Sequence, residues 1–141
     1  MSAASNYLEN KLLDHTLRTT TASYTAPTIV YVAIFNADSA GDILNDLETG
    51  VLTNEVAGNG YSRQTVTFAA ASGGSISSNS TVTFTANGGS AGGGFGTIVA
   101  VALMDASTAG NVLFYGSITP KTISDQDSLQ FATGQITISL A

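Results

Sequence analysis

The sequence predicts an all-β domain, an antiparallel β-sandwich or jelly-roll-like barrel with one amphipathic helix at its N-terminus. Serine and threonine supply 35 of the 141 residues, and threonine is favoured in strands because its branched side chain fits a pleated surface. Beyond Pro27 the apolar residues follow a period of two, as they do in strands. Clusters of glycine, asparagine, aspartate and serine separate these runs at short intervals, which is typical of antiparallel sheets and not of alternating strands and helices.

The chain has the length of one small domain. Its 141 residues are too few for two ordinary hydrophobic cores, and no internal repeat or linker divides them. We therefore interpret residues 1–141 as a single domain, in which residues 1–26 form an N-terminal arm and helix and residues 27–141 form the β core.

The predicted helix lies between Ser5 and Arg18. Four leucines recur there at spacings of four, one and four residues, which we interpret as one apolar stripe. They are Leu8, Leu12, Leu13 and Leu17. So short a helix is marginal in water, and we therefore expect the stripe to pack against the β core or a second subunit.

Two local patterns support this helix. Asn6 and Glu9 stand three residues apart, which predicts an N-cap and its capping-box partner. Asp14 and Arg18 stand four residues apart, the spacing of an ion pair on one helix face.

The β core begins with a run that is typical of a fully buried strand. Residues Thr28 to Phe35 are almost all β-branched or aromatic, as in a strand covered on both faces. Tyr61 to Phe68 alternates between two faces, and the apolar run Thr97 to Met104 is expected to be central. Shorter runs bring the total to about six to eight strands. They lie at Ile76, Thr81–Thr85, Val112–Ile118, Ser128–Ala132 and Ile136–Leu140.

Two loops differ from ordinary connections. The segment Asn36 to Gly60 is acidic and unusually long, and Ile43, Leu44 and Leu47 within it predict one helical turn. The segment Asn87 to Gly96 is the glycine-rich string NGGSAGGGFG, and such a string is flexible unless a partner holds it.

The charge balance excludes several classes of function. The net charge is −6, and the four basic residues are scattered singly, so the chain has no basic stripe to bind nucleic acid. No apolar run is long enough to cross a bilayer, and we expect no membrane partner. Without cysteine there is no disulfide, thiolate metal site or cysteine nucleophile.

Candidate catalytic and metal-binding patterns are weak. Gly88 to Gly92 spells GxSxG, but the one histidine, His15, precedes the serine and a strand follows in place of a helix. We interpret His15 as a hydrogen-bond donor at the boundary of the helix. The spacing of the acidic residues Asp38, Asp42 and Asp46 is not that of a calcium-binding loop. We therefore predict a solvated acidic surface, with no catalytic residues, no metal and no cofactor.

Several segments together resemble a family of small virion proteins of tailed bacteriophages, commonly labelled tail fibre proteins, some of which resemble capsid decoration (cement) proteins. The resemblance covers nearly the whole chain. Its specific elements are the leucine helix, the segment Gly58 to Phe68, the stretch Gly110 to Gly116, and DSLQF followed by ITISL, expected to form a closing hairpin. A tryptophan often stands in the family where this chain has Phe95, which keeps an aromatic ring.

The resemblance implies a β-sandwich structural protein present in many copies on the phage particle, made in the host cytoplasm, and not an enzyme. The function expected first is a capsid decoration protein, a homotrimer that binds the major capsid protein or other virion subunits. Two alternatives stay open. One is a tail fibre or baseplate component, and the other is a receptor-binding or carbohydrate-binding module that uses the two unusual loops.

An interface is expected where apolar and charged groups are free to meet a neighbour. Arg63 is expected to form an ion pair between subunits with the acidic loop, because the chain has few cations and many carboxylates. The full set of predicted interface residues is Leu8, Leu12, Leu13, Leu17, Arg63, Asp42, Asp46 and Phe95.

Overall fold

A five-stranded antiparallel sheet lies at the centre of the computed structural model, which describes residues 3–18, 24–89 and 92–140. The helices are α1 (Asn6–Leu17) and α2 (Ile43–Thr49). The strands are β1 (Ala3–Ala4), β2 (Val30–Asn36), β3 (Gln64–Val66), β4 (Ser75–Ser77), β5 (Val82–Thr85), β6 (Gly96–Met104), β7 (Val112–Ile123), β8 (Ser128–Phe131) and β9 (Thr137–Ser139). The fold is mostly strand with antiparallel pairing, and its sandwich-like layers confirm the predicted class.

Strand order confirms one prediction and corrects two. The central sheet has the order β1-β7-β6-β2-β3, so β6 is central as expected. The strand β1 was not predicted, because two alanines carry no periodic signal. DSLQF and ITISL do not form a hairpin, since β8 pairs with β5 and β9 pairs with β4.

Both faces of the central sheet are covered, which explains the unbroken apolar run of β2. Val32 and Ile34 point into a core shared with β5, β8 and β9, while Ala33 and Phe35 point to the opposite face. On that opposite face Leu47 of α2 covers the sheet. A strand buried on both sides has no solvent face and therefore shows no polar alternation.

The N-cap of α1 lies one residue before the predicted cap, Asn6. Ser5 is the N-cap, and its hydroxyl accepts a hydrogen bond from the backbone N–H of Leu8 at 3.3 Å. The same hydroxyl donates to the carbonyl of Val112, and the N–H of Ser5 donates to the carbonyl of Leu113 at 3.0 Å. Asn6 is therefore the first helical residue and not the cap. The two bonds from the buried Ser5 also join the start of the helix to β7.

The two unusual loops are held by side chains from other segments. The predicted helical turn in the acidic loop is confirmed as α2. Residues 90 and 91 of the glycine-rich loop, which include the serine of GxSxG, lie outside the described residues. On either side of them, Gly88 N–H donates to Asp125 Oδ1 at 2.8 Å and Asn59 Nδ2 donates to the carbonyl of Gly94 at 2.7 Å. A Cβ atom at Gly94 would collide with the carbonyl of Ile123, so only glycine fits there.

Neither of the helices that the structure describes is long and apolar enough to span a membrane.

Candidate functional site

A buried, bidentate ion pair joins Arg63 to Glu55. Arg63 Nε donates to Glu55 Oε1 and Arg63 Nη2 donates to Glu55 Oε2, both at 2.7 Å. The Arg63 side chain is only 3% exposed and that of Glu55 is 16% exposed. This is the bidentate geometry in which a guanidinium and a carboxylate bind most strongly.

The third guanidinium nitrogen of Arg63 binds the loop between β6 and β7. Arg63 Nη1 donates to the carbonyls of Ala106 at 2.8 Å and Ala109 at 2.7 Å. Within this loop, Asp105 accepts hydrogen bonds from the backbone and side-chain nitrogens of Asn111, both at 2.7 Å. Arg63 thus connects three segments: the acidic loop, the strand entry before β3, and the β6–β7 loop.

Tyr61 completes this network. Its hydroxyl donates to Glu55 Oε1 at 2.8 Å, and its ring packs against Phe84 and Phe95 in the core. Burial raises the pKa of the Tyr61 hydroxyl, and the hydrogen bond to the Glu55 carboxylate raises it further. The hydrogen bond to Glu55 likewise raises the pKa of Arg63, because it favours the charged guanidinium.

This network corrects the predicted role of Arg63. The residue does form an ion pair with the acidic loop, but the partner is Glu55 of the same chain. All three of its guanidinium nitrogens are engaged inside the domain, so none is available to a neighbouring subunit. Phe95 is also a core residue, only 5% exposed, and not the interface residue expected from the sequence.

Three carboxylates of the acidic loop cluster at the start of α2. One oxygen from each of Asp38, Asp42 and Asp46 lies within 4.8 Å of the others. A hydrogen bond with Asp38, partial desolvation and repulsion by Asp38 and Asp46 raise the pKa of Asp42. For Asp38 desolvation acts in the raising direction, but the hydrogen bonds it accepts outweigh this and lower its pKa.

The acidic cluster is a local electrostatic feature. The expectation that these carboxylates form a solvated acidic surface without a metal stays a prediction. Asp42 is exposed and Asp46 is half-buried, and their expected part in an interface stays a prediction.

The four leucines of α1 do not form one stripe. At about 100° per residue, Leu12 lies about 40° from Leu8, whereas Leu13 and Leu17 lie about 140° and 180° away. Accordingly, Leu8 is buried at 4% exposure, but Leu13 and Leu17 are 56% and 74% exposed. The sequence interpretation of a single stripe is wrong, and the helix has an inner side and a separate apolar outer side.

The other polar groups of α1 make local contacts. The Asp14–Arg18 ion pair is present, with 3.4 Å between Oδ2 and Nη1. His15 accepts a hydrogen bond at Nδ1 from the backbone N–H of Tyr24 at 3.3 Å. This corrects the expectation of a histidine donor, because His15 Nδ1 accepts from the backbone of Tyr24.

The surface of the β layers is covered by neutral hydroxyl groups that pair across strands. Ser75 pairs with Ser139 at 3.0 Å, and Thr85 pairs with Ser128 at 2.8 Å. Similar pairs join Ser77 to Thr137 and Thr97 to Thr122. Because these groups already satisfy one another, such a surface can be buried against another protein at low desolvation cost.

Two of the clefts on the described surface differ in their lining. A cleft of about 130 Å³ between β7 and β9 is mainly apolar, with Phe114, Ile118, Phe131 and Ile136 among its lining residues. A second, of about 180 Å³, lies between the two helices and holds one carboxylate, that of Glu48. Among the described residues that line them there is neither a histidine nor a pair of carboxylates.

Two residues that hold segments of the domain together, Glu55 and Ser5, were not predicted from the sequence. Glu55 is one of five acidic residues in its loop, and no local signal separates it from the other four. Ser5 precedes a leucine helix in the manner of an N-cap, and this signal was present but was assigned to Asn6.

Comparison with known proteins places the chain in a family. No curated protein matches the sequence. A family model described as Podophage GP4 fiber I protein gp80 matches residues 3–139, which include both helices and all nine described strands. This family comprises phage virion proteins of the fibre type, which agrees with the resemblance found in the sequence. From the N-terminal arm to β9, the chain belongs to the Podophage GP4 fiber I protein gp80 family.

Proposed function

We propose that this chain is a non-enzymatic structural subunit of the phage fibre, assembled through its neutral surfaces in several copies on each particle. The observation that carries this proposal is the family match over residues 3–139, which includes the whole described fold. A match of this extent supports a fibre role for the domain as a whole.

The surface chemistry supports an assembly role. The cross-strand hydroxyl pairs leave few charges to desolvate when two subunits meet. The buried ion pair between Arg63 and Glu55 satisfies its groups within the domain. Because all three guanidinium nitrogens of Arg63 donate hydrogen bonds within the domain, the guanidinium is not free to bind a substrate.

A second candidate is a capsid decoration protein, a homotrimer that contacts the major capsid protein. Its specific support is shape, since the longest described element is the 12-residue β7, which spans about 40 Å at strand rise. Such a domain suits a decoration subunit on the head lattice. In a fibre, the same domain would be one module of a longer assembly.

Location on the particle distinguishes the two candidates. An antibody fragment against this domain, bound to intact particles and imaged by electron cryomicroscopy, is expected to mark the fibres at low copy number. Labelling over the whole head would support the decoration role instead. Particles purified free of this chain would overturn both.

A further inference from the structure

We propose that the cleft between the two helices binds the guanidinium group of an arginine side chain that another subunit of the particle supplies. The carboxylate of Glu48 is the group that holds this cation. The inference rests on the proposed function in one respect, since it requires a neighbouring virion subunit. It goes further because it names the cleft and the chemistry of the group that enters it.

The cleft is a polar cavity formed by three separate segments. It measures about 180 Å³ and lies where the start of α1, the last turn of α2 and the end of the β6–β7 loop meet. Tyr7, Glu48, Gly110 and Asn111 are among the residues that line it. One water accounts for about 30 Å³ in the liquid, so the cleft has room for a planar group of several atoms.

The carboxylate of Glu48 has one oxygen that the described residues leave without a hydrogen bond. Its Oε2 accepts from the Tyr115 hydroxyl at 3.2 Å, whereas Oε1 accepts from no described residue. Glu48 also forms no ion pair with any described cation. Because a carboxylate binds a charged donor about twice as strongly as a neutral one, this oxygen is suited to a cation.

The surroundings of Arg63 show how this fold holds a guanidinium. There Glu55 accepts from a tyrosine hydroxyl, that of Tyr61, and binds Arg63 through both carboxylate oxygens. The third nitrogen of Arg63 donates to two carbonyls of the β6–β7 loop. A guanidinium is therefore bound here by three kinds of group, which are a carboxylate, the tyrosine that donates to it, and the β6–β7 loop.

The cleft presents the same three kinds of group without an arginine. The Tyr115 hydroxyl donates to Glu48, and the end of the same β6–β7 loop forms one wall at Gly110 and Asn111. The Oδ1 atom of Asn111 accepts no hydrogen bond from a described residue. The ring of Tyr7 also lines the cleft, and a guanidinium stacks on aromatic rings. A neighbour's arginine would thus find the groups that Arg63 finds within the chain.

The charge around the cleft is negative. Burial, the hydrogen bond to Glu48 and the charges of Glu48 and Glu9 raise the pKa of the Tyr115 hydroxyl, so Glu9 is close enough to act on this site. Lys11 is a cation at the rim, with its Nζ 5.7 Å from the centroid of the Tyr7 ring. The two carboxylates outweigh this single positive charge, and the cleft attracts a further cation.

The arginine that enters the cleft comes from another protein. The arginines of these 141 residues are Arg18 and Arg63. Arg63 is buried against Glu55, and Arg18 pairs with Asp14. The net charge of −6 makes copies of this chain repel one another and favours a basic partner. Arginine is also enriched at protein interfaces, where it is a frequent anchor.

Blocked amino acids test the cleft in the full chain. N-acetyl-arginine amide, titrated at low ionic strength into isotope-labelled protein, is expected to shift the backbone amide resonances of Glu48, Gly50, Gly110 and Asn111 until they saturate. The blocked citrulline, which has nearly the same shape without the charge, should bind at least about tenfold more weakly. The blocked lysine should also bind more weakly, because an ammonium cannot form the bidentate contact. Equal binding of either analogue would overturn the assignment to a guanidinium.

A pair of variants tests the part played by Glu48. Glu48→Gln keeps an acceptor for the Tyr115 hydroxyl and should preserve the circular dichroism spectrum, while the blocked arginine binds at least about tenfold more weakly. The matched control is Asp46→Asn, which removes one charge from the same helix outside the lining of the cleft. It should weaken binding by less than about twofold, because its charge is screened by solvent. Equal effects of the two variants would overturn the inference.

Retention on the particle separates this inference from the proposed function. Virions that carry Glu48→Gln should release the chain at a lower salt concentration than virions that carry the parent or Asp46→Asn. Release at the same salt concentration would contradict the arginine contact, yet would leave the proposed virion role intact. Particles free of the chain would instead overturn the virion role and, with it, the source of the arginine.

Discussion

Arg63 and Glu55 lie eight residues apart in sequence and form a bidentate ion pair in which both hydrogen bonds measure 2.7 Å. The arginine side chain is almost entirely removed from water. Through its third nitrogen the same guanidinium binds two carbonyls of the β6–β7 loop. One residue thus fixes the positions of three segments that have little regular structure of their own.

Removal of the Glu55 charge should strongly destabilise the domain. Glu55→Gln leaves the Arg63 cation buried without its counter-ion, a change that typically costs about 3 to 5 kcal/mol. Urea unfolding followed by circular dichroism measures this loss. The matched control is Asp14→Asn, which removes one partner of the exposed pair with Arg18 and should cost about 0.5 kcal/mol or less. Similar losses of unfolding free energy in the two variants would show that the Arg63–Glu55 pair does not stabilise the fold as a buried ion pair.

Replacement of Arg63 by lysine should loosen the β6–β7 loop even though the charge is kept. A lysine ammonium cannot bind the carboxylate in bidentate fashion and also reach both Ala106 and Ala109. We expect a loss of about 2 kcal/mol, because buried acceptors are left without donors. Hydrogen exchange at the amide of Asn111, which donates to Asp105, should become faster. Unchanged exchange there would argue that the loop is held by its own hydrogen bonds alone.

The acidic cluster should make stability depend on pH. Since the pKa of Asp42 is raised in the folded state, folding favours its protonated form, and stability should rise as the pH falls from neutral through the folded pKa of Asp42. The lowered pKa of Asp38 acts in the opposite direction, and its contribution is lost as the pH falls further, through the folded pKa of Asp38.

The variant Asp42→Asn separates these two effects. It removes a charge that Asp38 and Asp46 repel, so we expect a higher melting temperature at neutral pH and no further gain on mild acidification. Thermal unfolding measured over a series of pH values, beside the parent and Asp14→Asn, provides the comparison. A lower melting temperature for Asp42→Asn at neutral pH would contradict the repulsion.

Shortening a leucine side chain should destabilise the domain on the inner side of α1 but not on its outer side. Leu8→Ala removes a buried side chain and should cost about 2 to 5 kcal/mol. Leu13→Ala, at an exposed position of the same helix, should leave the unfolding free energy of the monomer within about 0.5 kcal/mol. Chemical denaturation at low protein concentration measures both. Equal losses would mean that Leu13 is packed within its own domain.

Much of the fold follows from local pattern. The apolar run at β2, the helical turn that became α2 and the central position of β6 were all predicted, because each depends on residues that are neighbours in sequence. The missed elements lack such a signal. β1 has only two residues, and its pairing with Phe114 and Tyr115 depends on where β7 lies.

The leucines of α1 show how a correct element can carry a wrong assignment. The helix itself was predicted from Leu8, Leu12, Leu13 and Leu17, but the spacing of four, one and four residues contains two faces. Geometry at about 100° per residue separates Leu8 from Leu17 by half a turn. Burial in the folded chain then shows which face meets the core.

The sequence by itself determined the all-β class, the N-terminal helix and the neutral exterior, because composition and periodicity act on each segment independently of its neighbours. Only the tertiary structure decided that Glu55 and no other carboxylate meets Arg63, that β8 and β9 pair with β5 and β4, and that the Leu13 side of α1 stays open. These outcomes depend on which distant segments come into contact. Periodicity predicts that a segment forms a strand, and a buried charge requires a counter-ion, but the packing of the whole chain selects the neighbouring strand and the counter-ion.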